Sequence, residues 1–181
     1  MHSVNPFFLR DSVSSEIYPQ PEIGEVFLIR RDSVSAELIS SVHGKLAGSG
    51  VVFLTNKRIV FHSLSSKSRI DFMGFQLNLG MIHELQFHQP VFGANFLKGV
   101  HISEMNHDPW KITFKSGGCG TFLPALSNAI ERSRMSSNSS QSLSPPISGK
   151  DAEIVAFVDP NDPSVVYTQQ SQARAQQPLA E

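Results

Sequence analysis

Between Trp110 and Lys115 apolar and polar residues alternate strictly, with Trp110, Ile112 and Phe114 on one side and Lys111, Thr113 and Lys115 on the other. Successive strand side chains point to opposite faces, so this stretch demands an antiparallel sheet with one buried and one wet face. The glycines of Ser116–Gly120 then read as a turn. After it Pro124 suits the first position of a helix, where its missing donor costs nothing. Leu126, Ala129 and Ile130 repeat at helical spacing, and Arg132 and Arg134 fall in the expected last turn.

Upstream, short apolar runs recur at strand length. Val26–Ile29 is followed by a turn at Arg31–Ser35 and a second strand at Ala36–Val42. Gly48, Ser49 and Gly50 loosen the backbone before Val51–Leu54 and Ile59–Phe61. Thr55, Asn56, Lys57 and Arg58 between those runs read as a hairpin loop, with Asn56 in a left-handed position and both cations splayed into water. Phe72–Leu79, Ile82–Phe87 and Leu97–Ile102 complete the set. The reading is a mainly β fold, about seven strands forming a β barrel that one C-terminal α-helix closes.

Composition divides the chain of 181 residues into three parts. Residues 24–134 carry twelve Lys and Arg against eight Asp and Glu, whereas residues 1–23 and 135–181 are acidic. A flexible tail at 1–23, a folded domain at 24–134 and a Ser-rich, largely disordered tail from 135 are expected, with seven serines between Ser136 and Ser148. In that last part Glu153–Val158 and Ser164–Tyr167 flank a turn and have the pattern of a hairpin, marginal in isolation. The core's cationic surplus falls short of what duplex binding needs, so no direct sequence-specific nucleic-acid binding is expected.

No secretory signal or membrane-length apolar run is present, and the single Cys119 has no partner for a disulfide, which implies an intracellular soluble protein. His43, His62, His83, His88, His101 and His107 lack ligand spacing, and surface or half-buried structural roles are expected for them. Cys119 reads as an exposed spare thiol without a base. Ser116–Gly120 lacks the ending of a phosphate loop. Neither an enzyme, a metal site nor a cofactor is expected.

The segment Gln89–Gly99 breaks the strand series. Pro90 cannot donate to a ladder, and Gly93 and Asn95 tolerate positive φ, while Val91, Phe92, Phe96 and Leu97 are apolar. An irregular connection folded back onto the core, with Phe92 and Phe96 inward, is the reading.

This string, together with Gly44–Ser63 (GKLAGSGVVFLTNKRIVFHS), Phe72–Leu79 (FMGFQLNL) and Trp110–Phe122 (WKITFKSGGCGTF), resembles the WW domain-binding protein 2 family. The resemblance spans about residues 24–134. It implies a GRAM domain of pleckstrin-homology-like fold, with Gln89, Pro90, Val91, Phe92, Gly93, Ala94, Asn95 and Phe96 as the structural signature loop. It further implies transcriptional coactivation, chromatin binding, protein partners, and residence in cytoplasm and nucleus. Related barrels hold anionic headgroups on loop cations, which makes Lys57, Arg58, Lys67 and Arg69 the candidates for weak phosphoinositide contact. The family's Pro-Pro-x-Tyr motifs dock WW domains, but here Pro145 and Pro146 precede Ile147 and Ser148, so WW-domain binding is not expected. Ser137, after Arg132 and Arg134, and Ser144, before Pro145, are candidate phosphosites.

Overall fold

A computed structural model describes residues 3–12, 15–66, 71–103, 106–139, 154–158 and 166–170. Two compact units are present, residues 1–141 and 142–181.

The first unit contains short strands β1 (Ser3–Val4), β2 (Phe8–Arg10) and β3 (Ile17–Pro19), then β4 (Phe27–Ser40), β5 (Gly44–Thr55), β6 (Arg58–Ser66) and β7 (Gly74–Asn78). A 3-10 turn at Leu79–Met81 leads to β8 (Ile82–His88), β9 (Phe96–Ile102), β10 (His107–Phe114) and the helix α1 (Cys119–Ser139). The main sheet has the order β1-β7-β6-β5-β4-β10-β9-β8, antiparallel throughout. Two meanders, β4 to β7 and β8 to β10, are joined where β10 returns beside β4, as in Ile112 opposite Ala36. The seven long strands and the single C-terminal helix agree with the sequence reading.

The core lies inside this curled sheet. Leu38, Leu54, Phe61, Phe75, Leu77, Trp110 and Phe114 fill it, and Phe122, Leu126 and Ala129 of α1 close it. Two glycines permit the close approaches. A Cβ on Gly50 would lie 1.9 Å from the His62 carbonyl, and one on Gly99 would lie 2.9 Å from the Trp110 ring.

Several local expectations change. Arg31–Ser35 is no turn: β4 runs unbroken for 14 residues, and the polar stretch is a bulge between Arg31 and Val34, with Ser33 at φ 55°. The loop between β5 and β6 is only Asn56–Lys57, and Arg58 is already in the ladder opposite Asn78. Asn56 is not left-handed, because its groups bind elsewhere: its N–H donates to Val26 O at 3.0 Å, its Oδ1 accepts from Val26 N at 2.8 Å, and its Nδ2 donates to Gly24 O at 3.1 Å. The helix begins five residues before Pro124, at Cys119, and continues past Arg134 to Ser139, so Pro124 sits inside it and the two arginines precede its last turn.

The first 23 residues are not merely a tail. β1 pairs with β7, and β2 with β3. Prolines and short apolar runs conceal such strands, because three residues are too few to establish a period.

The second unit contains the hairpin β11 (Ile154–Val158) and β12 (Val166–Gln170), with Ala156 opposite Thr168.

Candidate interaction surface

The loop between β8 and β9 does not fold back onto the core. Val91 and Phe92 are each 92% exposed, in contrast to the inward packing expected of Phe92. Leu97, Phe114 and Phe122 belong to the core cluster, and Val91 and Phe92 do not. The base of the loop is ordered. Phe114 N donates to Asn95 O at 2.9 Å, and Gly93 adopts φ 113°, a conformation that favours glycine.

Behind the tip stands a stack. The Phe96 ring lies 4.7 Å from the His88 ring at an interplanar angle of 6°, and Lys111 Nζ sits 4.3 Å from the centre of Phe96. Phe96 is therefore half-buried on the outer face, where a cation over an aromatic ring adds electrostatic attraction. Lys98 lies directly opposite Lys111, and Lys115 Nζ donates to Ser49 Oγ at 3.0 Å on the same face. Glu37, the cross-strand neighbour of Lys111, is paired with Lys45 at 3.0 Å. An apolar tip thus adjoins a cationic outer face. The strand parity of Lys111 and Lys115 was legible in the sequence, but the pairing of Lys111 with Lys98 was not.

The cations expected at the turn between β5 and β6 are engaged otherwise. Arg58 is buried at 8% exposure, with Nε donating to Glu25 Oε1 and Nη2 to Glu25 Oε2, both at 2.8 Å. Its Nη2 also donates to Gln20 O at 2.7 Å, and its Nη1 to the Gln76 side chain. Burial alone would raise the Glu25 carboxyl. Hydrogen bonds from Arg58, the Glu22 backbone and Thr55 outweigh it and hold the group below its ordinary value. Lys57 Nζ donates to Ile23 O and lies 4.0 Å from Glu22. Arg58 therefore offers no free cation to a headgroup. Lys67 and Arg69 lie outside the described residues, as does Ser144; Ser137 falls within the span of α1.

Cys119 is buried at 1% exposure among the core residues, where α1 begins, and burial pushes its thiol pKa up. An exposed spare thiol is thereby corrected: the helix starts one turn earlier than its proline suggests and carries Cys119 inward. Two histidines are also more buried than expected. His101 is fully buried opposite the buried Asp108 on β10, whose Oδ1 accepts from Ser41 N at 2.8 Å and Ser41 Oγ at 2.9 Å. His62 is 9% exposed beneath the Phe8 ring, and burial lowers its pKa. Among the described residues no three His, Cys, Asp or Glu side chains are placed to hold a metal ion, and no helix is long and apolar enough to cross a membrane.

No family model matches the chain. WW domain-binding protein 2 of Mus musculus is 33% identical over 78 residues, covering 40% of this chain and 29% of the relative. A UPF0664 stress-induced protein of Schizosaccharomyces pombe is 30% identical over 88 residues, covering 46% of this chain and 49% of the relative. Postacrosomal sheath WW domain-binding protein of Macaca fascicularis is 31% identical over 90 residues, covering 45% and 33%. Each match therefore spans less than half of the relative's own length. A chain of the 8S snRNP assembly intermediate superposes with a TM-score of 0.39 at 12% identity, over 75% of this chain and 95% of that one, a likeness on which no argument rests. Over part of its length, then, the chain is distantly similar to WW domain-binding proteins.

Proposed function

We propose that the chain is a non-enzymatic interaction adaptor with a coactivator-like role, a member of the WW domain-binding protein 2 family that works in cytoplasm and nucleus. Its folded part is then a GRAM module of pleckstrin-homology-like type, a reading supported by the seven strands and closing helix and by the partial similarity to two WW domain-binding proteins. The observation that carries the proposal is the exposure of Val91 and Phe92 on an ordered base. An aromatic side chain held in water stabilises a complex by about 1.5–3 kcal/mol when a partner buries it. The contact assigned here lies in the folded domain and uses no Pro-Pro-x-Tyr motif.

The test is a pull-down with the full chain against its Phe92→Ser variant, with captured proteins identified by mass spectrometry and thermal melts matched. Partners lost from the variant support the reading. An identical set from both overturns the tip as the contact.

A second reading, weak contact with anionic lipid, is favoured by Lys98, Lys111 and Lys115 beside the apolar tip rather than by Arg58. Each surface cation contributes about 1 kcal/mol to such contact. Flotation with phosphatidylserine vesicles at low salt tests it, and an absence of wild-type binding retires it.

A further inference from the structure

The outer face of β5 and β6 is apolar where a solvated face is expected. Val52 and Leu54 face the core, but their neighbours Val51 and Phe53, on the opposite face, are only 6% and 1% exposed, and Val60 of β6 is fully buried. These three form a second cluster, covered by Phe8, Tyr18 and Phe27. The Tyr18 ring lies 6.0 Å from Phe53, and the Phe8 ring 4.5 Å from His62. Much of the cover thus comes from β2 and β3.

That cover is attached by side chains more than by a ladder. Among the described residues β2 and β3 pair with each other, over three residue pairs, while just before them β1 pairs with β7 and Asn5 N donates to Gly74 O at 2.9 Å. Glu16 accepts from Arg30 Nη1 at 2.8 Å and from the Tyr18 hydroxyl, and Gln20 O accepts from Arg58. The Arg30 guanidinium stands 5.7 Å from the Tyr18 ring centre and 5.8 Å from that of Phe53. A hairpin this short is marginal by itself, and elements with few ladder bonds open locally before the core does.

We infer that the Val51, Phe53 and Val60 face, with Arg30 at its rim, is a docking site for a short segment of another protein that carries two aromatic side chains and a carboxylate. The chain's own β2 and β3 are its resident and displaceable occupant. Their chemistry defines the partner: two rings over the apolar patch and one acid on Arg30. Tethering gives the resident segment a millimolar-scale effective concentration, so an outside segment enters only by outcompeting it or when it opens.

The experiment uses a fluorescein-labelled peptide of residues 5–21 of this chain as the probe. Binding is measured by anisotropy to the full-length wild type and to full-length Phe8→Ala/Tyr18→Ala, whose own cover is weakened. The double variant is expected to bind saturably, and the wild type at least about tenfold more weakly. Adding Arg30→Glu to the double variant should reduce binding, and a probe with both aromatics replaced by alanine should not bind. No binding by a folded double variant, or equal binding by both proteins, overturns the inference. Should the double variant not fold, hydrogen exchange on the wild type decides. The Asp11 and Gln20 amides, which bond within the cover to Glu16 O and Phe7 O, should exchange on the order of 100-fold faster than β5 amides. Exchange of both sets only through global unfolding would make the cover an integral part of the core.

Discussion

Arg58 clamps Glu25 at two points, Nε to Oε1 and Nη2 to Oε2, each at 2.8 Å, across 33 residues of sequence. The Glu25 side chain is fully buried, so neither partner of this pair can return to water if the other is removed. Breaking a buried pair by removing one partner costs about 3–5 kcal/mol. Arg58 keeps Gln20 and Gln76 as acceptors, so Glu25→Gln should fall at the lower end, about 3 kcal/mol in urea unfolding at pH 7.

The same pair sets an acid limb. Folding lowers the Glu25 pKa, so the carboxyl binds a proton less readily folded than unfolded. Its contribution is therefore complete above the ordinary value of 4.5 and is lost as pH falls through the lower folded value. Urea midpoints of the wild type should decline over that window, and those of Glu25→Gln should decline less. Parallel curves would show that Glu25 is not the group responsible.

His62 should act at milder pH. Burial under Phe8 lowers its pKa from 6.5, so the neutral ring is favoured in the folded state. Its contribution is complete above 6.5 and is lost as pH falls through the lower folded value. Replacing it by Gln should reduce the slope of thermal stability against pH between about pH 7 and 5. An unchanged slope would assign the loss elsewhere.

Phe92 and Phe122 provide a paired comparison of aromatics. Phe122 is fully buried, its ring 5.2 Å from that of Phe114, so Phe122→Ala should cost about 3–5 kcal/mol. Phe92→Ser should shift stability by no more than about 0.5 kcal/mol, as for other surface substitutions. Calorimetry on both variants checks the contrast; a large loss in Phe92→Ser would mean that the tip is packed in solution.

Cys119 offers a readout of opening. Burial at 1% exposure and a raised thiol pKa both suppress the thiolate. Reaction with a disulfide reagent at pH 8 should be on the order of 100-fold slower in the native protein than in denaturant. A fast native reaction would place the start of α1 outside the core.

The strand series was legible because side-chain alternation records a local property, as in Trp110–Phe114 opposite Val34–Leu38. The polar side of the domain was less so. Arg58 looked like a turn cation because its partners Gln20, Glu22 and Glu25 lie more than thirty positions away. The tip at Phe92 was misplaced for a different reason: apolar character says that a residue gains by burial, but not whether a connection between two strands lies over the core or in water. Likewise the double burial of β5 reads as a run of apolar residues, without indicating that Phe8, Tyr18 and Phe27 supply one of the two covers.

The central position of β4 has a mechanical consequence. Its first half pairs with β5 alone, while Val34–Leu38 pairs with β5 on one side and β10 on the other. Neither meander can detach without stripping bonds from this one strand, so the sheet should lose its structure in a single step. Within the main sheet, proteases would then meet either paired strands or the unfolded chain, and cleavage there would follow the population of that fully unfolded state.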